Sequence, residues 1–491
     1  MTAAPWYPII YIRGYAGTQG EVEETVADPY MGFNRGSTKL RQQWDRSVIR
    51  HIFESPLVRL MKDHGYSDAY ANGTELTGSD SISWRTVWIY RYYEEVSREL
   101  GRGERPEMEQ YAEGLGSFLR DIRDRICGDS PRARDAFRVY LVAHSMGGLV
   151  ARCWLQNTRL REQDPVVADK LFTYATPHRG IDLRLIGNIP RFVQINNTEN
   201  FNEERMREYL RISSKRVPVH SLDGKFPPER CFSLVGTNAR DYEVAGGLAS
   251  AAVGPMSDGL VQIRNAYIDD APRAFVHRAH SGHFGVVNSE EGYQNLRRFF
   301  FGDLRVDGQL EVEAITLPPK VQRAKDRGSE VRASYHIEVC ANVRDTRWYL
   351  HRRTLDEGSA IIAGYDAMVK SGKPVKLFTQ FLSSAAIVSR SSYMGFSVDL
   401  GVLVPEYSVG GRLLFEDHFE GSYIFRDKLN LFVRAEDDSL RVKYGWDQQR
   451  TNGAGQTVTL AKTDGRWRLD VPVQKEKAPG IRAQLKLTFS V

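Results

Sequence analysis

The sequence predicts an α/β fold with a mainly parallel sheet, followed by an antiparallel β-sandwich. Three observations carry this reading. Short apolar runs alternate with helical patterns from residue 1 to about residue 302. Beyond Gly302 the hydrophobic period changes to two. Within the first part, Phe137 to Leu149 (FRVYLVAHSMGGL) sets a serine at the point where a buried strand turns into a helix.

In the first part the predicted strands are Ile9–Ile12, Val87–Tyr90, Val139–Ala143, Leu171–Ala175, Cys231–Gly236 and Ala274–His277. Met108, Tyr111, Leu115, Phe118, Leu119, Ile122 and Ile126 recur at three- and four-residue spacing, the mark of a helix laying one face on a sheet. Strand–helix alternation calls for a parallel sheet covered on both faces. Asn295–Phe301 closes this part as its last helix. The predicted domains are 1–302 and 303–491, with a cap inserted at 181–230. In the second domain Leu310–Ala314, Leu440–Tyr444, Trp467–Val471 and Ala483–Phe489 alternate apolar with polar residues. Val375–Phe381 and Tyr423–Val433 are also strand-like. Roughly ten such segments suit two packed antiparallel sheets.

At 491 residues the chain exceeds one compact core. Its net charge of +5 contains no dense basic block, which argues against nucleic acid as a partner. The first residues enter a strand without a basic leader and long apolar core, so no signal peptide is expected. No run approaches the roughly 18 apolar residues of a membrane helix. Cys127, Cys153, Cys231 and Cys340 lack metal-ligand spacing and read as reduced thiols. A cytoplasmic location fits best, with a secreted mature form as the alternative.

The strand-to-helix turn at Ser145 is the chemical centre. A serine there is pushed out of the ribbon, and small residues must flank it at two positions on either side. Ala143 and Gly147 meet that need. A hydroxyl is a weak nucleophile unless a histidine takes its proton and a carboxylate orients the histidine. For the carboxylate, Asp258 in Ser257–Val261 is the choice, with Asp241, Asp269 and Asp270 as competitors. For the base, His277, His280 and His283 crowd one segment. His283 is chosen because a short apolar run and a helix start near Ser289 follow it; His280 is the alternative. His144 is read as scaffold. An oxyanion hole needs two backbone N–H groups, assigned to Met146 and, in the turn Arg13–Gly17, to Tyr15. A histidine must be neutral to act as a base, so activity should rise from roughly pH 6 to 8.

With these residues in place, the first domain resembles the α/β-hydrolase superfamily, and within it bacterial lipase/esterase-like serine hydrolases. The motifs are IIYIRGYAG (Ile9 to Gly17), AHSMGG (Ala143 to Gly148), ATPHRG (Ala175 to Gly180), SDGLV (Ser257 to Val261) and HFGVVNS (His283 to Ser289). Arg13 stands where many members carry histidine, and the elbow is Ala-x-Ser-x-Gly, similar to that of small bacterial lipases. The resemblance implies cleavage of a small-molecule or lipid ester through an acyl-enzyme, with no metal or cofactor. Phospholipase, thioesterase and amidase chemistry suit the same residues. A catalytically silent binding scaffold is the rival of a different class. Within the inserted segment, Phe201, Met206, Tyr209 and Leu210 are candidate substrate-side residues of a mobile lid, or else the core of an extra helix packed for good. The sandwich could contact lipid peripherally, bind a polymer, mediate oligomerisation or simply support its neighbour.

Overall fold

A computed structural model describes residues 6–491 except 17–18, 43–45, 72–73, 76–81, 163, 182–197, 242–255, 345, 370–371, 387–391, 411–415, 437 and 449–454. Gly17, Pro190 and the Gly/Ala-rich stretch ahead of Asp258 lie outside the described residues. Contacts divide the chain into two compact units. One comprises Ala3–Arg273 and His277–Phe300; the other comprises Phe301–Val491 with Ala274–Val276.

The strands of the first sheet region, in chain order, are β1 (Ile9–Ile12), β2 (Ser37–Gln42), β3 (Val48–Phe53), β4 (Ser67–Asp68), β5 (Tyr70–Ala71), β6 (Thr74–Glu75), β7 (Thr86–Tyr90), β8 (Arg138–His144), β9 (Val167–Tyr174), β10 (Cys231–Gly236) and β11 (Arg273–Val276). Seven of them form one sheet in the order β11-β10-β9-β8-β1-β7-β4. All pairings from β4 to β10 are parallel. β1, β7 and β10 are buried along their whole length, as a sheet covered on both faces requires. The six strands predicted from sequence all form, with ends shifted by a few residues at most. Two hairpins were not foreseen: β2–β3 and β5–β6 pair antiparallel outside this sheet.

Helix α1 (Gln19–Val26) follows β1, and α2 (Pro56–His64) starts at a Ser55 cap whose hydroxyl accepts from the Val58 N–H. The long α3 (Met108–Cys127) buries Met108, Tyr111, Leu115, Leu119 and Ile122, the periodic residues of the sequence. Phe118 of α3 stacks on Tyr90 of β7, with ring centroids 5.6 Å apart. After the short α4 (Pro131–Ala136), α5 (Met146–Gln156) springs directly from β8 and is buried throughout. The last helix of this region, Glu290–Phe301, begins beside Ser289, where the sequence places a helix start.

The second unit is mainly antiparallel. Its strands are β12 (Leu304–Thr316), β13 (Glu330–Val343), β14 (His351–Arg353), β15 (Ile361–Gly364), β16 (Val375–Leu382), β17 (Met394–Gly410), β18 (Glu416–Glu436), β19 (Ser439–Trp446), β20 (Gln456–Ala461), β21 (Trp467–Lys475) and β22 (Gly480–Ser490). One sheet runs β16-β12-β22-β21; the other runs β14-β13-β17-β18-β19-β20, with β15 also on β13. Alternate residues of β21 and β22 are buried. Val306, Leu485 and Leu487 of the first sheet share one apolar cluster with Val398, Leu400 and Leu431 of the second. The period-two pattern is therefore the physical signature of two faces meeting.

Candidate active site

Ser145 lies between β8 and α5 with φ 52° and ψ −125°, a conformation that costs an L-residue energy and persists only where its surroundings enforce it. Its N–H bonds the Tyr174 carbonyl at 2.9 Å, and its own carbonyl accepts from Gly148 at 3.0 Å. Close packing explains the small neighbours. A Cβ on Gly147 would lie 2.4 Å from the carbonyl oxygens of Ile12 and Arg13. A Cβ on Gly14 would lie 2.7 Å from the Ser145 Cβ. The β1 turn therefore presses against the serine, and any side chain at either glycine would separate them.

The imidazole facing Ser145 belongs to His280. Its Nε2 is 2.9 Å from Ser145 Oγ, and its Nδ1 is 2.9 Å from Asp258 Oδ2. A carboxylate can only accept, which places the proton on Nδ1 and leaves the Nε2 lone pair for the serine hydroxyl. Asp258 is fully buried. Its other oxygen accepts from the Leu260 and Val261 N–H groups at 3.0 and 2.8 Å. The backbone couples the same residues, because the His280 N–H donates to the Asp258 carbonyl at 2.9 Å.

The expectation of His283 in this position is corrected. His283 is exposed, and its carbonyl accepts from Ser37 Oγ at 2.9 Å. The physical reason is a tight turn: Ala279 N–H bonds the Phe284 carbonyl and Val286 N–H bonds the Ala279 carbonyl. That closure sends residues 281–283 outward and holds His280 at the neck.

His144 donates from Nε2 to the His280 carbonyl at 2.9 Å, so it braces the loop that carries the imidazole. Burial, with the His280 ring beside it, pushes its pKa down to about 3. His178, of the ATPHRG motif, is fully buried against Thr173 Oγ1 at 3.0 Å, and burial holds it well below the usual histidine range. Both rings stay neutral in the folded chain, whereas the unfolded chain takes up their protons near pH 6.5. Their contribution to stability is thus complete above about pH 6.5 and lost as pH falls through the window down to about 3 for His144. Stability should fall on acidification below about pH 6.5 by up to about 1.4 kcal/mol per pH unit for each ring. Urea titrations from pH 7 to pH 5 check this, and a flat profile would contradict it.

The turn after β1 is pinned from the segment that follows β7. Tyr92 Oη donates to the Arg13 carbonyl at 2.9 Å. Tyr93 Oη donates to the Gly14 carbonyl at 3.1 Å and accepts from the Ala16 N–H at 2.7 Å. Arg105 donates to the Ala16 carbonyl at 2.8 Å. Arg13 turns away and bonds the Met31 carbonyl. Sequence reasoning missed Tyr92 and Tyr93, which carry no motif; the only available signal was their place just beyond a predicted strand. Met146, assigned as the other N–H donor, is the first residue of α5.

The four residues nominated for a lid are all buried: Phe201, Met206, Tyr209 and Leu210. The Tyr209 carbonyl accepts from Asn157 Nδ2 at 3.2 Å, and Tyr209 Oη donates to the Asn200 carbonyl at 3.0 Å. Their placement is that of an extra helix, Glu203–Tyr209, packed beside α5. The fully buried Arg152 of α5 fastens the end of this segment. Its guanidinium donates to the carbonyls of His178, Val219 and Ser221 at 3.0, 2.8 and 2.9 Å.

Residues 108–225 match the family described as the PGAP1-like alpha/beta domain. No curated protein matches the sequence. Solved structures similar to this chain include the following two. A Lactobacillus plantarum protein described as a cell surface hydrolase is 14% identical, covers 66% of this chain and 98% of its own, and superposes with a TM-score of 0.29. Phospholipase PlaB from Legionella pneumophila, in complex with thio-NAD, is 11% identical, covers 84% of this chain and 89% of its own, with a TM-score of 0.32. The parallel-sheet topology, the strained turn at Ser145 and the matched domain make the first unit an α/β-hydrolase fold.

Proposed function

We propose that the α/β-hydrolase unit of this chain cleaves carboxylic esters through a covalent acyl-enzyme on Ser145. The observation that carries this reading is the His280 imidazole held 2.9 Å from both Ser145 Oγ and the buried Asp258 carboxylate. His280 takes the hydroxyl proton as Ser145 Oγ bonds to the ester carbonyl carbon, then delivers it to the departing alcohol. Asp258 keeps the imidazole in the productive tautomer. Water repeats the sequence to release the acid and regenerate the serine. Backbone N–H groups of Tyr15 and Met146 stabilise the oxyanion; the packing of Gly14 on Ser145 supports this by bringing the β1 turn to the nucleophile. A fluorophosphonate probe tests the proposal: the folded protein should be modified at Ser145, identified by peptide mass. A folded protein that resists the probe, or is labelled elsewhere, would sink it.

Tyr93 is a positioning residue in this scheme, since its hydroxyl ties both sides of the turn. Tyr93→Phe should lower kcat for a short-chain p-nitrophenyl ester by about 10- to 100-fold with KM little changed. Parallel losses in binding and melting temperature, without a selective kcat effect, would assign Tyr93 to packing alone.

A further inference from the structure

We propose that the outer face of hairpin β2–β3 is a docking surface for an anionic lipid bilayer. Three of its aliphatic side chains stand in solvent: Leu40 is 68% exposed, Val48 55% and Ile52 63%. Cross-strand register puts them on one face, because Thr38 pairs with Ile52, Leu40 with Arg50 and Gln42 with Val48. Branched side chains so exposed make a poor water-facing surface, and their clustering marks a contact site.

Charge selects the occupant. From Ser37 to Phe53 the sequence holds four Lys or Arg residues (Lys39, Arg41, Arg46 and Arg50) against one acid, Asp45. Lys39, Arg46 and Arg50 are exposed. Aliphatic residues entering the acyl boundary while cations reach phosphates is the arrangement of interfacial segments. Arg50 shares the aliphatic face through its pairing with Leu40, Arg46 lies between the two strands, and Lys39, paired with His51, is on the reverse face.

The base of the hairpin is built onto the His280 loop. Ser37 Oγ bonds the His283 carbonyl at 2.9 Å. The His51 ring meets Phe284 edge-on at 5.2 Å, and His51 Nδ1 accepts from Arg278 at 3.2 Å. Arg278 is itself locked to Glu291 by a buried pair at 2.9 Å. Ser37 and His51 belong to the reverse face, so a bilayer held on the outer face would be separated from the imidazole-bearing loop by the thickness of the hairpin.

The test is vesicle co-flotation of the full chain carrying Ser145→Ala, so that binding is read without hydrolysis and independently of the esterase proposal. The protein should bind phosphatidylcholine vesicles containing phosphatidylglycerol, and bind pure phosphatidylcholine much less. Leu40→Ser/Val48→Ser/Ile52→Ser and, separately, Arg46→Glu/Arg50→Glu should each weaken binding by about tenfold or more. Unchanged thermal melting verifies the fold of each variant. The proposal is overturned if the parent ignores the anionic vesicles, binds both compositions alike, or loses nothing in either variant. It is equally overturned if the aliphatic variant changes the mass in solution from oligomer to monomer while vesicle binding persists.

Discussion

Ser145→Ala is expected to lower turnover of activated esters by about four to six orders of magnitude while leaving the fold intact. The change removes one oxygen from a nearly buried position (5% exposed) whose structural hydrogen bonds are made by the backbone. Alanine inherits the same positive φ and introduces no larger side chain. Activity and stability should thus part company: steady-state hydrolysis of p-nitrophenyl esters collapses, and the melting curve stays near that of the parent. Near wild-type rates in the variant would end the assignment of Ser145 as nucleophile.

The second large effect separates two histidines three residues apart. His280→Ala should cost a loss comparable to that of Ser145→Ala, because nucleophile and base act as a unit. The double variant should be scarcely worse than either single one. His283→Ala should stay within about threefold of the parent, as surface substitutions generally do. The only hydrogen bond that ties His283 to Ser37 uses its backbone carbonyl, which alanine retains. A severe loss at His283 with normal turnover at His280 would reverse the proposed roles.

The contrast between these histidines shows what local sequence can encode. The elbow was legible because its constraints are short-range: a buried strand, one serine and small neighbours within a few residues. Asp258 was legible from its order in the chain and a glycine that permits the turn. The base was not, because His277, His280 and His283 share one seven-residue stretch. What selects among them is a loop closed by Ala279 and Val286 and a backbone bond from His280 to Asp258. Those are tertiary facts. The inserted segment is a similar case: spacing revealed an amphipathic helix, but not that its apolar side faces α5. Hairpin β2–β3 escaped notice because its apolar residues show no period of two: Ser37–Gln42 holds only Leu40, and Val48–Phe53 sets Val48 beside Ile49 and Ile52 beside Phe53. The sandwich was read easily, since long strands with one dry side repeat the same signal many times.

The φ of 52° at Ser145 has an evolutionary corollary. A glycine there would adopt the same backbone without steric strain, so a descendant could fall chemically silent while the fold persists. In this architecture, extinction of activity does not entail loss of the scaffold. Stable, inert members serving as recognition modules are therefore an accessible outcome of a single codon change.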